Sequence, residues 1–340
     1  MSRHPPPDIS VCIANYNGGD LVLDCLESVY AQEEGFRIEV LVHDDASTDD
    51  SLARIKDRFP RVRTIESTTN AGFCISNNRM AKRAVGRYLL LLNNDARLRP
   101  GSLQALFSAA EGDWRDCILG LPQCSMANGS IIDHGYRTDP FLNPIPITTP
   151  GTHEAGVATG ACLWIPRQVW NETGGFPDWF ESVAEDIFIC LAARLLGHRV
   201  AVLDAPAFDH WIGKNLGGGK VDAGKLKSTV RRRTLSERNK TCVMLCCYPW
   251  WLLATILPLH AAALAAEAVF LLLTGMPPGK VGVIYREAFA GPWRNRSRIA
   301  ALRAHLMNRR RAGSARLFAF TDWLPAKLAM LFRHGTPRLD

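Results

Sequence analysis

A chain of 340 residues, of which 47% are hydrophobic, can bury a large core, so its composition argues against a disordered or fibrous protein. The ten cysteines include no CxxC pair and no histidine lies at zinc-ligand spacing, which argues against a disulfide framework or a structural zinc and fits a reducing cytosol. The first residues, MSRHPPPDIS, lack the apolar run of a secretory signal, so we expect none to be cleaved from this end.

The net charge of +7 is concentrated towards the C-terminal end. Residues 276–340 contain 13 lysines and arginines and three acidic residues, so the rest of the chain is slightly acidic. Such a basic segment is either a solvated charged face or a surface that attracts nucleic acid or anionic lipid. Composition alone does not choose between these.

Residues 9–110 alternate between short apolar segments and amphipathic ones. The pattern predicts strands at 9–14, 37–43, 61–67 and 87–92, with helices between them. Alternation at this pace favours parallel strands joined by right-handed crossovers, and hence an α/β sheet covered by helices. Ligands of such sheets bind beyond the carboxyl ends of the strands.

Three of the predicted strands end on polar or aromatic residues. These are Asn15, Tyr16 and Asn17 after the first strand, Asp44 and Asp45 after the second, and Asn93, Asn94 and Asp95 after the fourth. Turn chemistry explains each case alone, but the repetition at one edge favours a binding site. Since no GxGxxG fingerprint or Walker lysine is present, the site would suit a nucleotide whose diphosphate is held through a metal.

Further along, the pattern predicts a hairpin within 121–135, a strand at 160–165 and a helix from about 184 to 197. A capping pair of Ser47 and Asp50 is predicted to open the helix that follows the second strand. Glu185 and Asp186 fall in the first turn of the later helix, where acids are stabilised by the helix dipole whatever their function.

Eight segments, taken together and in their order along the chain, resemble the inverting nucleotide-sugar glycosyltransferases of family 2. The resemblance is in particular to the rhamnosyltransferase-like branch of bacterial surface-polysaccharide enzymes. The segments are NYNGG, HDDASTDDS, NAGFCISNN, LLLLNNDARL, GACLWI, GGFPDWF, EDIFICLAARLLGHRV and DHWIGK. The resemblance covers roughly residues 8–215. It implies the α/β GT-A nucleotide-sugar-binding fold, a mostly parallel sheet flanked by helices, which we expect over residues 8–235. The composition of residues 236–340, apolar and then basic, predicts a helical membrane-associating region there.

The resemblance also implies the residues of the site. The donor nucleotide sugar would be bound by Tyr16, Asp44, Asn70 and Asn93, a Mg²⁺ or Mn²⁺ ion by Asp95 and His210, and the acceptor proton would be taken by Asp186 as general base. Two residues depart from the family pattern. Asn93 replaces the first acid of the DxD motif, which leaves fewer charges for the metal, and Phe188 stands where relatives often carry another aspartate.

Residues 241–275 form an apolar run in which Glu267 is the only formal charge. About 20 residues suffice to cross a bilayer, but one crossing would export the basic tail and two would need about 40 residues. The run therefore favours helices in the cytoplasmic membrane interface, or a re-entrant hairpin broken near Pro258, with Glu267 facing protein or water. A buried helical pair in a soluble domain is the alternative.

Together these features imply an inverting glycosyltransferase at the cytoplasmic face of the inner membrane, peripheral or monotopic. It would move a sugar from a UDP- or dTDP-linked donor to a hydroxyl of a glycan or of a polyprenyl-diphosphate-linked glycan. One alternative is a sugar nucleotidyltransferase, but its glycine- and lysine/arginine-rich phosphate loop is missing. The other, a basic nucleic-acid-binding protein, would give Asp44, Asp95 and Asp186 no purpose, so we expect no nucleic-acid partner.

Overall fold

The structure, a computed structural model, describes residues 5–32, 35–204, 206–211, 218–222, 225–327, 330 and 338–339. The chain divides into two compact units. The first unit consists of Met1–Tyr136, Pro146–Glu181 and His198–Trp211, and the second of Arg137–Ile145, Ser182–Gly197 and Ile212–Asp340. The domain boundary expected between residues 235 and 236 remains a prediction.

The secondary structure follows the predicted order. The strands are β1 (Ile9–Asn15), β2 (Ile38–Asp44), β3 (Arg63–Glu66), β4 (Tyr88–Asn93), β5 (Ala96–Leu98), β6 (Ile118–Gly120), β7 (Gln123–Ser125), β8 (Ile131–Asp133), β9 (Tyr136–Thr138), β10 (Pro144–Pro146), β11 (His153–Glu154), β12 (Cys162–Pro166), β13 (Val200–Val202), β14 (Phe208–His210), β15 (Gly218–Asp222), β16 (Lys225–Ser228) and β17 (Arg338–Leu339). The helices are α1 (Gly19–Tyr30), α2 (Ser51–Arg58), α3 (Phe73–Arg83), α4 (Ser102–Glu111), α5 (Arg167–Thr173), α6 (Glu185–Leu195), α7 (Val230–Cys247), α8 (Trp250–Leu273), α9 (Pro278–Arg294), α10 (Arg296–Asn308) and α11 (Ser314–Leu317), with a 3₁₀ helix at Asp178–Phe180. The five predicted strands given by range are confirmed, with ends shifted by at most two residues.

The first unit is built on an eight-stranded sheet with the strand order β11-β13-β6-β12-β4-β1-β2-β3. The strands β4, β1, β2 and β3 run parallel to one another, and β13 runs parallel to β6. Antiparallel pairing is confined to β12 and to the edge strand β11. The predicted mostly parallel α/β sheet is therefore confirmed.

The middle of this sheet is apolar on both faces. Along β4, Leu89, Leu90 and Leu91 are fully buried, because helices cover both sides of a strand in this position. Trp164 of β12 is also fully buried and stacks on Tyr88, with ring centroids 4.7 Å apart. The uninterrupted run of leucines is thus the signature of a central strand.

A second sheet in the first unit has the order β5-β14-β7-β8. Its strands β7 and β8 pair in an antiparallel manner, which confirms the hairpin predicted within 121–135. Strand β14 pairs with β5, and His210 lies opposite Ala96 in this ladder. Because Ala96 directly follows Asp95, the pairing brings His210 beside that aspartate.

The apolar run of the second unit breaks at a different point from the one predicted. Helix α7 ends at Cys247, and Tyr248 and Pro249 are extended, whereas α8 continues through Pro258. A residue before a proline is forced away from the helical region, which explains the break at Tyr248. The prediction of a hairpin broken near Pro258 is therefore wrong.

Helix α8 presents a largely unpartnered apolar surface. Its buried residues fall mostly four apart, at Leu252, Ile256, His260, Leu264 and Leu271. Among the described residues it is the one helix long and apolar enough to cross a membrane, with a mean hydropathy of 2.0, and 22% of its most apolar stretch is buried. Core helices of soluble proteins meet the same criterion of length and composition, but they are mostly buried and α8 is not.

Glu267, the charge within this run, faces protein as predicted. Lys327 donates hydrogen bonds of 2.8 Å to both Glu267 and the buried Glu237, and Arg233 also binds Glu267. Burial opposes ionisation of Glu237, but the charges of Lys240 and Lys327 outweigh it and hold the pKa of Glu237 well below its usual value. The second unit therefore contains a compact cluster of ion pairs.

All ten cysteines lie within the described residues and are buried. Burial raises the pKa of Cys162 to about 12 and that of Cys117 to about 11, so these thiols stay protonated at neutral pH.

Gly86 offers a test of how tightly β4 approaches β1. A Cβ atom on Gly86 would lie 2.6 Å from the backbone nitrogen of Ser10 and 2.7 Å from the carbonyl carbon of Ile9. We expect Gly86→Ala to lower the free energy of unfolding by about 1–3 kcal/mol, measured by urea denaturation. Gly282→Ala, in α9 with no heavy atom within 4 Å of the added Cβ, is the control and should be neutral or slightly stabilising. Equal effects of the two substitutions would contradict the close approach.

Candidate functional site

The parallel register brings the polar ends of three strands to one edge of the sheet. Asn15 of β1 lies opposite Asp44 of β2, and Ala14 lies opposite Asn93 of β4. The carboxyl ends of all three strands therefore meet, as the sequence predicts. Asp44 is buried, with 3% of its surface exposed, so its carboxylate belongs to the floor of the site.

The side-chain amide of Asn15 links these strand ends. Its Nδ2 donates to Asp44 Oδ1 at 2.9 Å and to Ser51 Oγ at 3.0 Å, and its Oδ1 accepts from Asn94 Nδ2 at 3.1 Å. Its backbone carbonyl accepts from the N–H of Asp45 at 2.8 Å. Asn15 is thus bonded to both neighbouring strand ends.

The loops that follow β1 and β2 are joined by Asn17 and Ser47. The Oδ1 atom of Asn17 accepts from the N–H of Thr48 at 2.7 Å, and the hydroxyl of Ser47 accepts from the N–H of Asn17 at 2.9 Å. Ser47 is therefore engaged with the neighbouring loop, and α2 begins at Ser51 with no side-chain cap. The predicted capping pair of Ser47 and Asp50 is wrong for this reason.

Tyr16 lies beside these loops with 46% of its surface exposed. An aromatic ring this open, at the edge where the strands end, is available to stack on a planar group. The structure thus leaves Tyr16 accessible to a nucleobase.

Asp45, to which no sequence motif assigns a role, holds the segment that contains Asn70. Its two carboxylate oxygens accept from the N–H groups of Ala71 at 2.7 Å and Gly72 at 2.8 Å. Asn70 directly precedes these residues and is exposed. Asp45 therefore fixes where Asn70 is presented.

Asp95 and His210 meet as predicted. The Oδ1 atom of Asp95 lies 3.2 Å from Nε2 of His210, and Nδ2 of Asn93 lies 3.3 Å from the same nitrogen. One ring nitrogen either donates or accepts, so Nε2 cannot satisfy a carboxylate and an amide N–H at once. Turning the Asn93 amide over removes this conflict, because Nε2–H then faces two oxygens. Asp95 and His210 are the residues here that would hold a cation.

The donor atoms present fit a divalent cation. Two ligands held about 2.1 Å from one metal at a right angle are about 3 Å apart, close to the separation of Asp95 Oδ1 and His210 Nε2. The described residues contain no group of three or more His, Cys, Asp or Glu that could hold a metal. Two protein ligands are enough for Mg²⁺ or Mn²⁺, because these ions keep water and substrate phosphate oxygens as their other ligands. The imidazole of His210 suits Mn²⁺ better than Mg²⁺.

Asp209 fixes the strand that carries His210. Its carboxylate accepts from Arg99 Nη2 at 2.7 Å and from Arg97 Nη2 at 3.3 Å, and Asp209 is 7% exposed. Both arginines belong to the segment directly after Asp95. These ion pairs therefore fasten β14 to β5 beside the candidate metal ligands.

Asp186, the predicted general base, belongs to the second unit, where it is half-buried near the start of α6. The two residues that directly precede this helix both have left-handed backbone conformations, with φ 71° at Val183 and φ 68° at Ala184. This conformation is strained for a β-branched residue. Phe188, where relatives often carry an aspartate, is fully buried, so it takes part in packing.

Asn239 of α7 holds the strained segment in place. Its Nδ2 donates to the carbonyl oxygens of Ser182 at 2.9 Å and Val183 at 2.7 Å, and its side chain is fully buried. No sequence pattern predicts this role, because Asn239 lies within a charged helical run with no motif. Asp45 could have been noticed, since capping does not need both acids of the Asp44–Asp45 pair.

Glu185, the neighbour of Asp186, is a buried acid. Burial, and secondly the negative charge of Asp186, raise the pKa of Glu185 to about 8. Its Oε2 atom is buried with no hydrogen-bond partner among the described residues. Glu185 is therefore largely protonated at neutral pH.

Comparison with known proteins agrees with this architecture. The family profile described as "Glycosyl transferase family 2" matches residues 10–173. Residues 10–173 belong to glycosyltransferase family 2. The O-antigen biosynthesis protein RfbC of Myxococcus xanthus is 28% identical over 57% of this chain and 16% of its own length. An N-acetylglucosaminyl-diphospho-decaprenol L-rhamnosyltransferase of Mycobacterium tuberculosis is 27% identical over 44% of this chain and 59% of its own length. The chain therefore spans less than two thirds of the length of either relative.

Solved structures show the same fold for this family 2 domain. TarS of S. aureus in complex with UDP superposes with a TM-score of 0.55 at 17% identity, over 89% of this chain and 88% of that one. GalNAc-T7 with UDP, GalNAc and Mn²⁺ gives 0.57 at 15% identity, over 72% of this chain and 48% of that one. The predicted GT-A fold is confirmed.

The raised pKa of Glu185 predicts how a neutral variant responds to pH. Between pH 4.5, the ordinary pKa, and about 8, the unfolded chain loses the Glu185 proton while the folded chain keeps it, so the wild-type protein loses stability as the pH rises. Glu185→Gln cannot ionise. We therefore expect its thermal midpoint, relative to wild type, to increase over this window in thermal unfolding measurements. The exposed control Asp57→Asn should show no such trend, and a pH-independent difference for Glu185→Gln would contradict the raised pKa.

Proposed function

We propose that this chain is an inverting glycosyltransferase of cell-surface polysaccharide biosynthesis. It transfers a sugar from a UDP- or dTDP-linked donor to a hydroxyl of a glycan or of a polyprenyl-diphosphate-linked glycan. The observation that carries the proposal is the meeting of Asp95, His210 and Asn93 at the edge where the strands of a family 2 domain end. Such a site suits a sugar diphosphate, because a cation held there would neutralise the negative charge of the two phosphates.

The donor is bound along the carboxyl edge of the sheet. The exposed ring of Tyr16 stacks on the base, and Asp44 and Asn70 contact the base or ribose. Asn93 lies next to Asp95, towards the diphosphate. Nucleotide complexes of the structurally similar TarS and GalNAc-T7 support a nucleotide donor.

Asp95 and His210 are the residues that would hold Mg²⁺ or Mn²⁺. When bound, this ion supplies Lewis-acid stabilisation of the negative charge on the departing diphosphate. Asp209 keeps His210 in place through its arginine pairs. Because Asn93 is neutral, Asp95 is the one carboxylate of this motif that can offset the charge of the cation.

Asp186 acts on the acceptor. A carboxylate oxygen takes the proton of the acceptor hydroxyl as its oxygen attacks the anomeric carbon from the face opposite the diphosphate, which inverts the configuration. General-base assistance typically contributes about 10² to 10⁴ in rate. Glu185, kept neutral by burial, avoids placing a second negative charge beside this base.

The enzyme is proposed to bind its acceptor at the cytoplasmic face of the inner membrane. Most of the surface of α8 is exposed, and its exposed large side chains are apolar, including Trp250, Leu259 and Leu273. Peripheral or monotopic attachment through this surface would bring the enzyme to a lipid-linked glycan. The decaprenol-linked acceptor in the name of the Mycobacterium tuberculosis relative supports this choice.

No observation favours the two alternatives. A sugar nucleotidyltransferase would need the phosphate loop that the sequence lacks. A nucleic-acid-binding protein would have no use for the Asp95–His210 pair. Calorimetric binding of UDP-, dTDP- and GDP-sugars, with and without Mn²⁺, tests the proposal, and a chain that binds none of them would refute it.

Asp95→Ala tests the metal-dependent donor site. We expect the affinity for the preferred nucleotide sugar in Mn²⁺ to fall by at least about tenfold, since disturbing even an outer partner of a metal ligand has an effect of this size. Binding without Mn²⁺ should be unchanged. Asp95→Asn serves as the isosteric variant, and Asp57→Asn, an exposed acid on α2, as the control. Unaltered Mn²⁺-dependent binding by both Asp95 variants would remove this residue from the site.

Asp186→Asn tests the general base separately. The substitution keeps the shape of the side chain and removes its basicity, so kcat should fall by about 10² to 10⁴. Donor affinity measured by calorimetry should stay near the wild-type value. A variant that retains wild-type turnover would show that Asp186 is not the base.

A further inference from the structure

A groove in the second unit combines tryptophans with arginines. It has a volume of about 510 Å³ and lies between the start of α8 and one side of α10. Trp250 and Trp251 form one wall, Met307 contributes to the other, and Arg303 and Arg310 also line it. Trp250 is 75% exposed and Trp251 48% exposed, so large apolar surfaces face solvent here beside positive charge.

The positive charge around the groove is not balanced nearby in the sequence. Between Glu287 and Asp322 the chain carries eight arginines and no acidic residue. Helix α10, one wall of the groove, lies entirely within this segment. A segment of this composition attracts anions and repels cations.

Both groove arginines are held in fixed positions. Arg303 Nη1 donates to the carbonyl oxygens of Leu245 at 2.8 Å and Tyr248 at 2.7 Å, and Arg310 Nε donates to that of Ala312 at 2.7 Å. A guanidinium has five N–H donors. Each arginine is thus anchored through part of its donors and keeps others for a ligand.

The groove is continuous with the apolar surface of α8, because Trp250 and Trp251 are the first residues of that helix. Tryptophan is enriched at the boundary between the headgroups and the acyl chains of a bilayer, where one part of its ring is apolar and its N–H is polar. An occupant that matches the groove must therefore be apolar at one end and anionic at the other.

We propose that this groove binds an anionic phospholipid of the bilayer. The phosphate is recognised by Arg303 and Arg310, and the start of the acyl chains packs on Trp250, Trp251 and Met307. The inference rests on the membrane attachment proposed above and makes it specific: attachment requires anionic lipid and acts through this groove. It does not depend on the donor, the metal or the base.

Flotation of the full chain with vesicles tests the proposal without any sugar substrate. The vesicles contain phosphatidylcholine alone, phosphatidylcholine with phosphatidylglycerol, or phosphatidylcholine with undecaprenyl phosphate. Ala304 lines the groove and is exposed, so Ala304→Glu adds a negative charge there and removes no hydrogen bond. Ala304→Gln has the same size without the charge. Ala301, exposed on another side of α10 and outside the groove lining, supplies Ala301→Glu as the control for charge alone.

We expect the wild-type chain to float with phosphatidylglycerol vesicles and hardly at all with phosphatidylcholine. Ala304→Glu should weaken this partitioning about fivefold, the effect of about one charge at an anionic surface, whereas Ala304→Gln and Ala301→Glu should stay near wild type. Ala300→Glu, a second charge in the groove lining, should repeat the loss if Ala304→Glu folds poorly by circular dichroism.

Three outcomes would overturn the proposal. Equal flotation with neutral and anionic vesicles would make the attachment purely apolar. Equal loss in Ala301→Glu and Ala304→Glu would make it a diffuse charge effect. Flotation that needs undecaprenyl phosphate would assign the groove to a polyprenyl lipid instead. Failure of donor binding in the calorimetric panel would refute the proposed glycosyltransferase activity and leave this test unaffected.

Discussion

The geometry of the candidate site depends on the side chain of Asn15. Three parallel strands end within hydrogen-bonding distance of it, and each places polar atoms where water has little access. An unpaired buried polar group costs about 1–3 kcal/mol. Asn15 avoids this cost for Asp44 and Asn94 at once, because an amide both donates and accepts. An apolar residue there would leave the strand ends without the partner that aligns them.

The second unit uses the same chemistry to hold a strained segment. Two left-handed residues in succession before α6, Val183 and Ala184, are unfavourable. The side-chain amide of Asn239 donates to the carbonyl oxygens of the first of them, Val183, and of the preceding Ser182. This amide comes from α7, whose other side chains include Glu237 and Lys240 of the ion-pair cluster. The start of α6 therefore depends on a helix of the C-terminal region, outside the residues that the family profile matches.

Much of the fold was accessible from sequence because its strands are apolar on both faces. The run at residues 88–92 is too short and too continuous to be an amphipathic helix, and its parallel neighbours put Asp44 and Asn93 at a common edge. The Asp95–His210 contact came from a family resemblance, since the two residues are 115 positions apart and no local pattern connects them. The capping pair and the break at Pro258 were wrong because tertiary hydrogen bonds and the Tyr248–Pro249 junction overrode local propensities.

The burial of the ten cysteines has a practical consequence. A thiol that stays protonated and out of contact with solvent reacts slowly with maleimides and oxidants, because the thiolate is the reactive species. A single cysteine introduced on an exposed helix would then be the preferred attachment point for a fluorophore or spin label, without removal of the native ones. Distances between such labels on the two units could be measured in solution as nucleotide sugars are added.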